Sequence, residues 1–280
     1  MSEPVGAAHG AYGLRLAGLD EAARFLVAAP ESWTPLELVR RTSGDPPAER
    51  FGPRRTTLTS ASGAAIDVDL QRGRATISAP WTMTADEVLH PYLASVASVV
   101  AHWAGHESLH GGAVVAGSGA WLVLGERGAG KSTTLATLAA RGVGILSDDL
   151  VILRHEVCCA GPRAIDLRED TANALASGQR LGIVGTRERW RVALGPVEPE
   201  VRLRGFVFLE WGASRDIATI PGSDALARLV RHRAVRAAPV RHDALLELAR
   251  LPALALRRRR DPDALADDLD LLLDAIGSRG

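Results

Sequence analysis

The sequence predicts an α/β fold built around a glycine-rich turn, preceded by a small β-rich N-terminal part. Three observations carry this expectation. Gly125-Glu-Arg-Gly-Ala-Gly130-Lys131-Ser132 fits G-x-x-x-x-G-K-[ST] at every fixed position. It is preceded by the apolar run Ala120 to Leu124 and followed by Ser132 to Ala140, whose apolar residues have helical spacing. Upstream, residues 1–82 hold short alternating segments punctuated by Gly, Pro and Asp, whereas residues 83–280 mix strand and helix periods.

The elements follow in order. Tyr12 to Leu16, Thr56 to Thr59, Ala65 to Leu70 and Ala75 to Ser78 read as strands, and Ser43-Gly-Asp-Pro-Pro47 as an exposed loop. Thr84-Ala-Asp-Glu87 is a capping box opening a helix to about Trp103, with Val88, Tyr92, Leu93, Val96, Val99 and Val100 along one side. Pro91 falls in or just after its first turns and is expected to bend it. Gly112 to Ala116 is strand-like. The strand, turn and helix of the glycine-rich segment come next, and then Val143 to Ser147 runs into Asp148-Asp149. Leu150 to Leu153 and Leu203 to Leu209 read as strands; Ser223 to His232, Asp243 to Leu251 and Asp263 to Ile276 read as helices. Arg257 to Arg260, the one basic run, reads as a solvated strand end, with a docking patch for an acidic partner as the alternative.

Composition narrows the function classes. The chain has 280 residues, 46% hydrophobic and 24% charged, ordinary globular values that exclude a disordered chain or a coiled coil. Its 33 basic residues balance its 33 acidic ones, which removes the broad cationic field of nonspecific nucleic-acid binding. No stretch approaches the roughly 18 to 20 apolar residues of a membrane span, and the N-terminus shows no basic segment leading into an apolar one. The expectation is a cytoplasmic protein without nucleic-acid or membrane partners. Cys158 and Cys159 are adjacent, too few for a disulfide framework, and read as two ordinary strand thiols.

Lysine singles out the chemistry. Only one of the 33 basic residues is a lysine, and it is Lys131; placed at random among those positions, it would fall there one time in 33. The glycines allow successive N–H groups to surround phosphate oxygens, and the following helix adds the positive end of its dipole. A lysine ammonium is a compact charge suited to the β and γ phosphates, and Ser132 offers a hydroxyl to Mg²⁺. Gly125, Arg127, Gly128, Ala129, Gly130, Lys131, Ser132 and Thr133 are therefore the candidate contacts to ATP. Asp148 ends an apolar strand, the usual position of a Mg²⁺ partner, and Asp149 follows at once. One carboxylate then holds the metal while the other takes a proton from an attacking hydroxyl, unless Asp149 merely caps a turn.

Leu109-His110-Gly111, the segment Leu122 to Ser132, and Arg141 to Asp149 together resemble the catalytic core of HPr kinase/phosphorylase, a bacterial P-loop kinase of a serine on a small phosphocarrier protein. His110 lies 21 residues before Lys131 and Asp149 lies 18 after it, so three elements are in register over residues 108–154. The resemblance implies Asp149 as general base, Asp148 and Ser132 at Mg²⁺, Lys131 at the γ-phosphate and His110 as a polar active-site group. It also implies a mixed sheet like that of phosphoenolpyruvate carboxykinase, and self-association as a homo-oligomer. The family's Glu-x-Arg-Gly-x-Gly signature is absent. The nearest segment, Gly161 to Glu169, keeps an arginine and displaces the acids. The chain is more similar to the shorter HPr-kinase-like proteins of peptide natural-product clusters.

The expected function is Mg·ATP-dependent phosphoryl transfer to a Ser or Thr hydroxyl of a small protein or peptide, with Arg163 meeting the transferring group. The alternatives are a nucleotide-binding regulatory module or NTPase, which has no need of Asp149, and a small-molecule kinase. His102, His106 and His110 have zinc-compatible helical spacing, but Gly105 is expected to end the helix before His110.

Overall fold

The computed structural model describes residues 8–43 and 52–277. The loop expected over residues 43–47 lies outside the described residues beyond Ser43.

Alternation builds the N-terminal sheet from β1 (His9–Ala11), β2 (Leu14–Ala17), β3 (Val27–Ala28), β4 (Thr34–Thr42), β5 (Arg55–Thr59), β6 (Ala65–Asp69) and β7 (Arg74–Ala79). Their order is β3-β1-β2-β4-β7-β6-β5, with β4 parallel to both β2 and β7. Ile66, Val68, Ala75 and Ile77 are buried, as period two requires. The expected strand from Tyr12 to Leu16 is cut by a tight turn, with Tyr12 at φ 59° and Gly13 at φ 79°. Sequence reading passed over β4 because Arg40, Arg41 and Thr42 dilute the alternation of Leu36 and Leu38.

The capping box forms. The Glu87 N–H donates to Thr84 Oγ1 (3.2 Å), and the Thr84 N–H donates to Glu87 Oε2 (2.8 Å). It opens α1 (Ala85–Glu87), a wide π-type turn over Val88–Tyr92, and α2 (Leu93–Trp103). His90 leaves helical geometry (φ −148°, ψ 124°) because the ring of Pro91 disfavours the helical region for the residue before it.

The chain continues through β8 (Glu107–His110), β9 (Gly112–Ala116), β10 (Gly119–Leu124), α3 (Lys131–Ala140), β11 (Ile145–Ser147), β12 (Leu150–Arg154) and β13 (Val157–Cys159). It then forms β14 (Ala164–Leu167), α4 (Glu169–Ala174), β15 (Gln179–Val184) and β16 (Arg187–Ala193). The last elements are β17 (Glu200–Trp211), β18 (Asp216–Thr219), α5 (Gly222–His232), α6 (Ala244–Leu248), β19 (Ala253–Arg258) and α7 (Leu265–Gly277). The central sheet has nine strands, ordered β11-β9-β10-β17-β13-β12-β8, with β19 beside β17 and β18 beyond it. It is mixed: β10, β17 and β19 run parallel and the other pairs antiparallel. A third, antiparallel sheet, β14-β16-β15, stands beside α3.

Period two in β10 explains how the central sheet is covered on both sides. Leu122 and Leu124 enter one core with the N-terminal sheet, α2 and α5; Trp121 and Val123 enter another with α3, α7 and β14. Both cysteines are buried, unpaired thiols on β13, and burial pushes that of Cys159 up to about 12. Among the described residues no helix is long and apolar enough to cross a membrane.

Candidate active site

The glycine-rich segment joins the end of β10 to the start of α3, the strand, loop and helix of a P-loop. Gly128 and Gly130 have φ of +85° and +82°, where a Cβ is strained, so the loop needs glycine at both positions. Its carbonyls are spoken for. Lys131 Nζ donates to Gly125 O (2.7 Å) and Glu126 O (3.3 Å), Trp211 Nε1 to Gly128 O (3.0 Å), and Arg258 Nη2 to Ala129 O. Among the described residues no side chain caps α3, so the N–H groups of its first turn remain donors for an anion. Ala129 is buried under the loop, where its carbonyl holds Arg258 rather than facing the cleft.

Two carboxylates face the loop across a cleft of about 410 Å³. A strand would send neighbouring side chains to opposite faces, but Asp149 adopts φ +66° at the end of β11, and both acids line the cleft. Asp148 accepts from Ser132 Oγ (3.2 Å). Burial, with the charge of Asp149 next, pushes its carboxyl up to about 7. Asp149 stands between two imidazoles, with His110 Nδ1 at 3.5 Å from Oδ1 and His90 Nδ1 at 3.7 Å from Oδ2. Burial lowers the ammonium of Lys131, against the pull of Asp148 and Asp149.

The donor set suits a hard divalent cation. Ser132 Oγ and the Asp148 carboxylate are adjacent oxygens, and among the described residues no cationic side chain forms an ion pair with Asp148. Among the described residues no group of three or more His, Cys, Asp or Glu gathers to hold a metal alone. One or two carboxylates complemented by substrate phosphates is the usual arrangement for Mg²⁺. The helical histidine trio does not form, since α2 ends at Trp103 and His110 lies on β8.

The structure brings Arg127, Gly128, Gly130, Lys131, Ser132, Thr133, Asp148, Asp149 and His110 to one cleft. Gly125 lies at its base, where an added Cβ would meet Leu209 O at 2.9 Å. Arg163 is not brought there. Its guanidinium is buried behind β11 and donates to Ile145 O (2.6 Å), Leu146 O (3.2 Å) and Gly195 O (2.8 Å). It fastens β11 to the segment after β16 and does not line the cleft, so it does not meet a phosphoryl group there.

Among the cleft residues that sequence reasoning missed, four carry basic side chains. His90 enters because Pro91 turns it out of the helix. Arg168 follows β14, and Arg187 and Arg189 lie two apart on β16 and so share a face. The X-Pro dipeptide inside a capped helix and the i, i+2 arginines were the available signals. Asp166 also lines the cleft, but it is bound by Arg191 Nε and Nη2 at 2.7 Å, and Arg191 reaches on to Asp86.

The basic run requires a further correction. Arg258 is neither solvated nor a docking residue; it is buried, donates to Thr134 Oγ1 (2.9 Å) as well as Ala129 O, and stacks on Trp211 (4.9 Å). Leu254, Leu256 and Arg258 form the inward row of β19, and Arg257 points outward to Asp216 and Glu210.

No family model and no curated protein matches the chain. Among solved structures it is similar to the HPr(Ser) kinase/phosphatase from Coxiella burnetii, with 11% identity and a TM-score of 0.32 over 62% of this chain and 99% of that one.

Proposed function

We propose that the protein transfers the γ-phosphoryl group of Mg·ATP to a Ser or Thr hydroxyl of a small protein or peptide. The observation that supports this most is the division of environment between the paired carboxylates. Asp148 is half-buried and accepts from the P-loop serine, whereas Asp149 is turned by its positive φ toward open cleft and two histidines. A site for nucleotide binding alone has no use for the second arrangement.

In this reading the amides of α3's first turn and Lys131 hold the β and γ phosphates, and Ser132 and Asp148 hold Mg²⁺. The cation, when bound, neutralises charge on the phosphate oxygens. Asp149 accepts the hydroxyl proton of the acceptor as its oxygen bonds to phosphorus and the bond to ADP breaks. His90 and His110 fix the carboxylate's orientation. Arg127, Arg187 and Arg189 supply the positive charge the reaction requires, in place of Arg163.

The test follows γ-labelled ATP with the purified protein and the small-protein and peptide fraction of the source organism. Label is expected to enter a protein or peptide with wild type and to be lost with Lys131→Ala and Asp149→Asn. Label appearing only as free phosphate, with Asp149→Asn unimpaired, would overturn the kinase reading in favour of an NTPase.

A further inference from the structure

We infer that Trp211 is the platform on which the purine base of the bound nucleotide stacks, an inference that rests on the nucleotide reading above. In open α/β sheets ligands lie outside the carboxyl ends of parallel strands. Three strands here run parallel, and all three end at the loop: β10 runs into Gly125, β17 ends at Trp211 and β19 at Arg258. The carboxylates stand on the β11 side of β10, so the phosphate chain's reacting end lies there and its other end is left to the β17 and β19 side.

Register places the indole. Leu124, the last residue of β10, pairs with Phe208, so Trp211 stands three residues further along the neighbouring strand, about 10 Å past the root of the loop. It is 38% exposed, one of few large apolar side chains left open. The ring is also held still. Nε1 donates to Gly128 O (3.0 Å), Arg258 packs on the ring at 4.9 Å, and a Cβ on Gly130 would lie 3.6 Å from Cζ2.

Arg260 lies over the same ring at 5.5 Å and has no carboxylate partner among the described residues. An exposed indole rigidly tied to a phosphate loop, under a guanidinium that no described carboxylate holds and that a base can displace, is the chemistry that takes the π-face of a base. Stacking reads the face of the base, not its edge, so this platform separates nucleotides from bare polyphosphates more than one purine from another.

Calorimetric titrations of wild type, Trp211→Ala and Trp211→Phe with β,γ-imido-ATP and with tripolyphosphate, each with Mg²⁺, test this. Wild type should bind the nucleotide more tightly than tripolyphosphate. Trp211→Ala should lose roughly tenfold or more in nucleotide affinity and keep its affinity for tripolyphosphate, and Trp211→Phe should retain most of both. Indole fluorescence should respond to imido-ATP and not to tripolyphosphate, and the response should vanish in Trp211→Phe. Equal losses for both ligands would reduce Trp211 to a prop of the loop, and no loss for either would remove it from the site; both results overturn the inference. Failure of wild type to bind imido-ATP would instead overturn the nucleotide reading, and this inference with it.

Discussion

At the scale of single residues, function and stability pull in opposite directions at the cleft. Asp148 is a carboxylate in a place that resists its charge, and Lys131 is an ammonium whose burial is only partly offset by the two aspartates. Without a divalent cation, Asp148→Asn should therefore melt above wild type; with Mg²⁺ and imido-ATP only wild type should gain strongly, by thermal denaturation. Arg258 behaves differently because its bonds are structural. Arg258→Met removes the donors to Ala129 O and Thr134 Oγ1 and should cost about 1–3 kcal/mol in chemical denaturation, while weakening nucleotide binding. Lys131, Ser132 and the acid pair could be read from the sequence because motif and spacing fix them. Arg258 could not, since three neighbouring arginines hid its membership in the inward row of Leu254 and Leu256.

At the scale of elements, turns decide where the chemistry points. Gly130 sits at φ +82° with Arg258 Nη2 3.2 Å from where a Cβ would be, so Gly130→Ala should destabilise by about 1–2 kcal/mol and loosen the loop. His106, between α2 and β8, is a second test. Burial first, and then Arg154, His155 and Arg241, hold its imidazole below the ordinary range. A depressed histidine opposes folding only when protonated, so its cost is absent above about pH 6.5 and grows as pH falls below it. His106→Gln should flatten the acid limb of a melting-temperature profile; an unchanged limb would remove His106 as its source. Helical spacing sufficed to read α3, α5 and α7, and unbroken apolar runs sufficed for β9, β10 and β12. The interruption before α2 was legible only as a bend, because the geometry at His90 depends on where Pro91 falls among the turns.

At the scale of the molecule, the N-terminal sheet belongs to the site's foundation. Tyr12 Oη donates to Asp148 O (3.2 Å), the Tyr12 N–H to Ala160 O (2.7 Å) and the Arg163 N–H to Phe25 O (2.7 Å). One apolar cluster runs from Trp33 and Ile77 through Tyr92 to Leu122 and Phe206. Unfolding should therefore be a single cooperative transition by both tryptophan fluorescence and circular dichroism; two separated transitions would contradict this. None of these long-range contacts was visible in the sequence, where residues 1–82 read only as a β-rich segment. Local periods say which face of a strand is buried and nothing about which distant sheet covers it.

In the proposed reaction the adjacent aspartates divide the work, Asp148 at the cation and Asp149 at the acceptor. The most direct measurement of this division is the pair of numbers for Asp149→Asn: the rate of phosphoryl transfer to the acceptor, and the affinity for β,γ-imido-ATP with Mg²⁺. Transfer should fall about 10²- to 10⁴-fold while affinity stays near that of wild type. Transfer at the wild-type rate, or loss of affinity in step with loss of transfer, would contradict this division.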